Sequence, residues 1–333
     1  MPVPNPLRRR MMALPGALLA AGMATPLVTG RAHAQTWPTR PVRLIVPYSP
    51  GSGADVSARG IARLLPRFLG QEVIIENQPG GAAIPASLNV ARAAPDGYTL
   101  LFSATQHAIN PSFGPPLPYD SVESFTPVAR LTSQPLLLAV SSTVPASNLG
   151  ELIAYARARP GKLNYASTGV GSSIHLAGAF FASRAGLDVH HVAYKNAADA
   201  LIDLVRGDVQ WIFYPYQSVL SQLQSGRIRL LGSTAGHRST WAPDVPTMAE
   251  SGYPDFVLPA WQGIFGPAHL PASIAARLYE AFRAALSDPA LVKTFEAGGT
   301  DIFLAGSDAF ADFLRSEIAR YRDIVRTSGA RPD

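Results

Sequence analysis

The stretch Leu44-Ile45-Val46-Pro47-Tyr48-Ser49-Pro50-Gly51-Ser52-Gly53-Ala54-Asp55 constrains this chain more than any other. Its apolar start reads as a buried strand and Asp55 as the start of a helix, so the glycines and prolines between them bend the chain from a strand's carboxyl end into a helix's amino end. Unpaired N–H groups and the helix dipole favour an anion at such a corner. A second stretch of the same kind, Ser167-Thr168-Gly169-Val170-Gly171-Ser172-Ser173, opens another helix that Ser172 or Ser173 can cap. Either one alone also reads as a plain tight turn. Two of them, one in each half of the chain, point to a shared cleft.

Residues 1 to 34 read as an export signal: Arg8-Arg9-Arg10, a broken apolar segment from Met11 to Val28, and Ala32-His33-Ala34 as a small-x-small cleavage site. The arginine run is compatible with the twin-arginine route, although a full consensus is absent. Four of the 28 basic residues and none of the 23 acidic ones lie in this segment, leaving a nearly neutral mature part with 24 against 23. A basic surface for nucleic acid is therefore not expected. No later segment is apolar enough to span a bilayer, and with no cysteine neither disulfides nor thiolate metal sites can hold the fold. The expected location is the periplasm, after cleavage near Ala34.

Along the mature chain, strand and helix patterns alternate. A helix follows Asp55, which can cap it, and ends at Gly70; short strands fall at Val73 to Ile75 and Tyr98 to Phe102, with a helix up to Ala93 between them. Ser103 to Pro118, with Gln106, His107 and Asn110, reads as a loop leaving a strand's carboxyl end, where ligands sit in such sheets. The pattern restarts with strands at Leu136 to Val140, Leu163 to Ala166, Val189 to Tyr194, Val209 to Phe213 and Ile228 to Ser233. Helices separate the first four of these, Asn148 to Arg159, Ile174 to Arg184 and Ala197 to Arg206. Trp261 to Phe265 reads as a return strand before a helical tail. Alternating βα units imply a mostly parallel sheet in each of two α/β lobes, with the chain crossing between them more than once.

Several chemistries are excluded by missing elements. Gly51-x-Gly53 and Gly169-x-Gly171 lack the third glycine of the dinucleotide fingerprint, and no phosphate-loop motif occurs. There is no G-x-S-x-G elbow, His190 and His191 point to opposite faces of one strand, and no metal-binding spacing is present. His175, in the first turn of the helix after the second corner, either faces the cleft or packs against the loop. No cofactor and no catalysis are expected.

The ordered set Pro47-Tyr48, Gly51, Gly53, Asp55, Ala58-Arg59, Glu76-Asn77-Gln78-Pro79-Gly80, Ala94 to Leu100, Pro118-Tyr119-Asp120, Phe125 to Val128, Pro160 to Leu163, Tyr165 to Gly169, His175 to Gly178, Tyr194-Lys195 and Pro243 to Thr247 resembles the Bug family. These are the periplasmic receptors of tripartite tricarboxylate transporters, and the resemblance covers essentially the whole mature chain. It implies a type II periplasmic-binding-protein fold, with residues 35–133 and 238–333 in one lobe and 134–237 in the other. It further implies a monomer that grips a small carboxylate and delivers it to membrane permease subunits.

On this chain the family's contacts fall on Tyr48, Ser49, Gly51, Ser52 and Gly53 in the first lobe, and on Ser167, Thr168, Gly169, Gly171 and Ser172 in the second. Gln106, His107 and the Gly80-Gly81 turn are secondary contacts. Asp55 is given a capping role, since a free carboxylate aimed at an anion would repel it. The chain departs from the family at Asn196, which can reach the ligand's far end, at Gln210, and at Tyr214, followed by Tyr216. Fewer acids and more aromatics suggest an uncharged-tailed mono- or dicarboxylate, its ring stacked on Tyr214 or Tyr216 if it has one; the alternative is that these tyrosines fill a lobe surface. Bulk at Gly51 or Gly169 is expected to obstruct the backbone's approach to the ligand, and replacement of Glu151 to do nothing. A sensory partner of a membrane receptor and an exported hydrolase are the rival functions.

Overall fold

The computed structural model describes residues 37–114 and 116–331; the expected signal peptide and its cleavage site lie outside them. The first α/β unit contains β1 (Val42–Val46), α1 (Gly53–Ala62), α2 (Pro66–Leu69), β2 (Val73–Asn77), α3 (Ile84–Ala91), β3 (Thr99–Ala104), α4 (Gln106–Ile109) and β4 (Phe125–Gln134). The second contains β5 (Leu136–Ser141), α5 (Leu149–Arg157), β6 (Asn164–Ser167), α6 (Ser173–Ala185), β7 (His190–Ala193), α7 (Ala197–Arg206), β8 (Trp211–Pro215), α8 (Tyr216–Gln224) and β9 (Ile228–Ser233). The chain then returns through β10 (Ala260–Pro267), α9 (Ala272–Leu286), α10 (Pro289–Ala297), β11 (Asp301–Ala305) and α11 (Ser307–Ser328).

Two sheets result, in the orders β11-β4-β10-β3-β1-β2 and β7-β6-β8-β5-β9. Strands carrying the corners pair in parallel (β1 with β2 and β3, β6 with β7 and β8), whereas β10 runs antiparallel to both β3 and β4, and β5 antiparallel to β8 and β9. Parallel neighbours bring their carboxyl ends to one edge, and a helix leaves from each such edge. Apolar residues cover both faces: Leu44, Ile61, Leu278 and Phe282 belong to a cluster within the first lobe, and Ile212, Leu204 and Val219 to one within the second. A third cluster joins Ile45 and Phe265 to Trp211 and Phe256 through α6 and α11, so the lobes share a core on that side.

Several expectations change. Gln106–Ile109 is helical rather than loop, and β4, α8 and β11 had no counterpart in the sequence reading. The first crossing falls between Gln134 and Leu136. After β9 the chain stays bonded to the second sheet, with Met248 N–H donating to Ser233, and Leu258 N–H to Thr234. The return crossing therefore lies beyond Leu258, later than the expected 237/238 boundary.

Candidate functional site

Between the lobes lies a cleft of about 330 Å³. Ser52, Gly53, Ala54 and Tyr48 reach it from the first corner, and Thr168, Ser172, Ser173 and Ile174 from the second. A larger hollow of about 710 Å³ beside Arg40 and Arg92 touches neither corner. The smaller space is the one bordered by two helix amino ends, and that matters more for an anion than volume.

Both corners use one construction. Gly51 and Gly171 adopt left-handed φ angles of 80° and 77°, a conformation open to glycine at little cost. Ser52 and Ser172 follow in extended backbone as N-caps, their hydroxyls accepting from the N–H of Asp55 (3.3 Å) and His175 (3.1 Å). The capped residue's side chain then reaches back: Gly51 N–H donates to Asp55 Oδ2 at 2.8 Å, and Gly171 N–H to His175 Nδ1 at 3.1 Å.

These bonds shift the binding surface along the chain. The N–H groups of Gly51, Gly169 and Gly171 are already taken, that of Gly169 by Ser167 Oγ at 3.2 Å. The groups left over belong to Gly53 and Ala54 at the start of α1 and to Ser173 and Ile174 at the start of α6. A helix cannot pair its first N–H groups internally, and these four have no acceptor among the described residues. All four residues line the cleft.

Asp55 is buried and does not cap α1; Ser52 does. Its carboxylate accepts from Arg59 Nε (2.9 Å), Asn77 Nδ2 (2.7 Å) and Gly51 N–H. Burial alone would push the Asp55 carboxyl up, but these hydrogen bonds outweigh it and hold the group down at about 2. His175 is held at about 4 by burial, with the neighbouring His191 adding to the effect, so the imidazole is neutral at neutral pH and its Nδ1 can accept from Gly171 N–H. His191 stacks on His175 with ring centroids 4.0 Å apart, and its Nε2 meets Ser167 Oγ at 2.7 Å. This serine–histidine contact escaped sequence analysis. It lies beneath the corner and outside the cleft wall, and Ser167 is fully buried.

Of the expected site residues, Tyr48, Ser52, Gly53, Gln106, Thr168 and Ser172 line the cleft. Burial pushes the Tyr48 phenol up, so it remains a hydroxyl donor. Ser49 and Gly51 sit exposed on the corner's outer side, while Ser167, Gly169 and Gly171 shape the second corner without lining the cleft. Gly51 and Gly169 have open space where a Cβ would go, so their constraint is backbone angle rather than crowding; Gly171 is the crowded one, with Phe113 Cδ1 2.6 Å from an ideal Cβ.

Three expectations are overturned by placement. His107 is buried among Phe125, Phe265 and Tyr119, its Nε2 2.9 Å from the Ser121 carbonyl. Asn196 spends its side chain capping α7, its Oδ1 accepting from Ala198 N–H, and does not line the cleft. Tyr214 packs within the second lobe's core, and the Tyr216 ring lies 4.6 Å from Trp241, so neither borders the cleft. Gln210 is likewise spent on backbone, accepting from Asn164 N–H and donating to the Gly207 carbonyl. The wall residues that sequence analysis passed over include Thr105, Gln134, Leu136, Trp261 and Gln262. Trp261 is fixed by its N–H to Thr105 Oγ1 (3.0 Å) and its indole Nε1 to Glu317 Oε2 (3.2 Å).

Residues 57–330 match the family model described as tripartite tricarboxylate transporter family receptor. The chain belongs to this family. It is a periplasmic solute-binding protein with the type II arrangement of two α/β lobes, as the similar solved structures also have. BugT of Bordetella pertussis is 36% identical over 325 residues, covering 97% of this chain and 98% of that one. A protein described as a periplasmic transporter superposes with a TM-score of 0.79 at 31% identity, covering 89% of this chain and all of that one. Rhodopseudomonas palustris Rpa4515, solved with adipate, gives 0.78 at 32% over the same shares. MatC from the same organism, solved with malate, gives 0.75 at 31%, covering 86% and 99%. The four amides that have no acceptor among the described residues are divided evenly between the two lobes.

Proposed function

We propose that this receptor takes up a small carboxylate between the amino ends of α1 and α6 and hands the closed complex to the permease subunits of a tripartite tricarboxylate transporter. One observation carries the reading: two helix amino ends from different lobes offer N–H groups with no acceptor among the described residues to one cleft whose described lining residues include no acidic or basic side chain. An anion there gains from both helix dipoles and meets no competing charge. It stabilises the closed form by whatever it gains from touching both lobes rather than one. The adipate and malate in the two solved relatives support a carboxylate as the ligand class. Cleavage of the signal near Ala34 belongs to the same reading.

The test is native mass spectrometry of purified protein followed by calorimetric titration with adipate, malate, nicotinate, terephthalate, citrate and glutamate. Micromolar or tighter binding of at least one carboxylate, lost when Ser173 is replaced by proline, is the expected result. Proline removes one N–H at a helix position where its ring fits. Binding that is indifferent to Ser173→Pro would contradict the site. A sensory role would use the same closed form, and deletion of the permease genes separates the two: uptake of the ligand is lost only in the transport case.

A further inference from the structure

Resting on the carboxylate reading above, the rest of the cleft defines the other end of the ligand. The first sheet lays out one wall in strand order. Ser52 to Ala54 follow β1, Gln106 follows β3, Gln262 lies on β10 and Gln134 ends β4, and these four strands are successive neighbours. Adjacent strands stand about 4.8 Å apart, which puts Gln262 about 10 Å and Gln134 about 14 Å from the β1 corner along the sheet. The opposite wall follows β6, β8 and β5, also successive neighbours, and turns from the amides of the second corner to the apolar surfaces of Pro215 and Leu136. The cleft therefore runs from a donor-rich end to one with amides on one side and hydrocarbon on the other.

Each glutamine has committed one half of its amide. Asn110 Nδ2 donates to the Ala82 carbonyl (2.8 Å), which fixes Asn110 Oδ1 as the acceptor for Gln106 Nε2 (2.7 Å); Gln106 Oε1 has no partner among the described residues. Gln134 Nε2 donates to the Thr300 hydroxyl at 2.9 Å, again leaving its oxygen. Gln262 Oε1 accepts from the Thr132 hydroxyl at 3.2 Å, leaving its Nε2 donor. The oxygens of Gln106 and Gln134 remain as acceptors, and the N–H bonds still unused on the three amides remain as donors, so a primary carboxamide's two N–H bonds and one carbonyl can all be matched.

We propose that the ligand's far end is an uncharged N–H or O–H donor, a carboxamide or a hydroxyl, held by Gln106, Gln134 and Gln262, and not a second carboxylate or an ammonium group. A second carboxylate would give up its water beside no cation among the described lining residues, and the free oxygens of Gln106 and Gln134 would repel it. An ammonium would find acceptors but no counter-charge.

The experiment titrates the mature protein at pH 7.5 with acids that share one carboxylate and one chain length: adipamate, 6-hydroxyhexanoate, hexanoate, adipate and 6-aminohexanoate. The four-carbon set succinamate, 4-hydroxybutyrate, butyrate, succinate and 4-aminobutyrate is run beside it. The amide or hydroxy acid is expected to bind at least tenfold tighter than the diacid and the amino acid of equal length, with the unsubstituted acid between. A diacid or amino acid that binds as tightly or tighter overturns the far-end assignment and leaves the carboxylate corner standing. No affinity for any acid of either set would instead remove the carboxylate reading itself. Gln134→Glu keeps the shape and lets the Thr300 hydroxyl donate in return; it is expected to tighten the amino acid about tenfold and to weaken the diacid. An unchanged ranking in that variant overturns the placement of Gln134 at the ligand's end.

Discussion

Gly51-Ser52-Gly53-Ala54-Asp55 and Gly171-Ser172-Ser173-Ile174-His175 share the spacing glycine, serine, two residues, reaching side chain, and they share the bonds that go with it. They differ in what fastens the glycine. In the first corner it is an ionised carboxylate tied to Arg59 and Asn77; in the second it is a neutral imidazole stacked on His191. A carboxylate tied by three hydrogen bonds holds its charge state down to about pH 2, whereas a buried imidazole resists protonation only down to about 4. The first corner is thus built to be indifferent to mild acid and the second is not.

Acid should show the difference most strongly. The His175 pKa is lower in the folded chain than in the unfolded one, so between about pH 6.5 and 4 the unfolded state takes up the proton first, and stability falls as pH falls. At about 1.4 kcal/mol per pH unit, the wild type should lose about 3 kcal/mol more than His175→Asn between pH 7 and 4 in denaturant titrations. His107, also depressed to about 4 by burial, acts in both proteins and cancels. Parallel pH curves would show that the imidazole does not fasten the corner.

Asp55→Ala is the matching break in the first corner. It frees the Gly51 N–H and deprives Arg59 and Asn77 of their acceptor, at a cost of about 2.5 kcal/mol, below the full value for a buried pair because Arg59 is half exposed. Affinity for adipate or whichever acid binds should drop more than tenfold, and pH dependence between 6.5 and 4 should stay as in the wild type.

Alanine at the two positive-φ glycines sharpens the contrast in packing. Gly171→Ala meets both a left-handed angle and the Phe113 ring, so about 2 kcal/mol is expected, whereas Gly51→Ala meets open space and only the angle, about 1 kcal/mol. Equal unfolding midpoints for the two would mean that Phe113 yields. The caps should be alike: Ser52→Ala and Ser172→Ala are each expected to cost about 1 kcal/mol.

The smallest effect concerns a third corner of related design. Asn148 caps α5, and Glu151 reaches back to the Ser147 N–H at 2.7 Å. Glu151→Ala should therefore lower stability slightly, as a small fall in the unfolding midpoint, through loss of its bond to the Ser147 N–H, and leave ligand affinity unchanged, since none of these residues lines the cleft.

Much of the fold was legible because βα units announce themselves through apolar runs, glycine turns and caps. The elements that were missed had local patterns that tertiary packing overrode. β4 carries Pro127, Arg130, Thr132 and Gln134, yet its centre is buried because β10 and β11 flank it and because Phe303 and Phe313 cover the Arg130 guanidinium at 4.1 and 3.8 Å. The site residues that moved off the cleft, His107, Asn196 and Tyr214, are polar or aromatic groups near strand ends whose local sequence does not say which way they face. Of the glutamine wall only Gln106 was legible: Gln134 and Gln262 lie far from it along the chain and meet it only because β3, β10 and β4 are adjacent.

By itself the sequence determined the corners, because a glycine angle, a serine cap and a side chain reaching back four residues are local interactions that need no distant partner. Only the tertiary structure decided which helix amino ends would confront each other. The Asn148 corner shares the side-chain cap and the side chain reaching back four residues, without the glycine, and does not line the cleft. Placement depends on strand pairing and shared packing between residues remote in sequence, whose closure the chain achieves only as a whole.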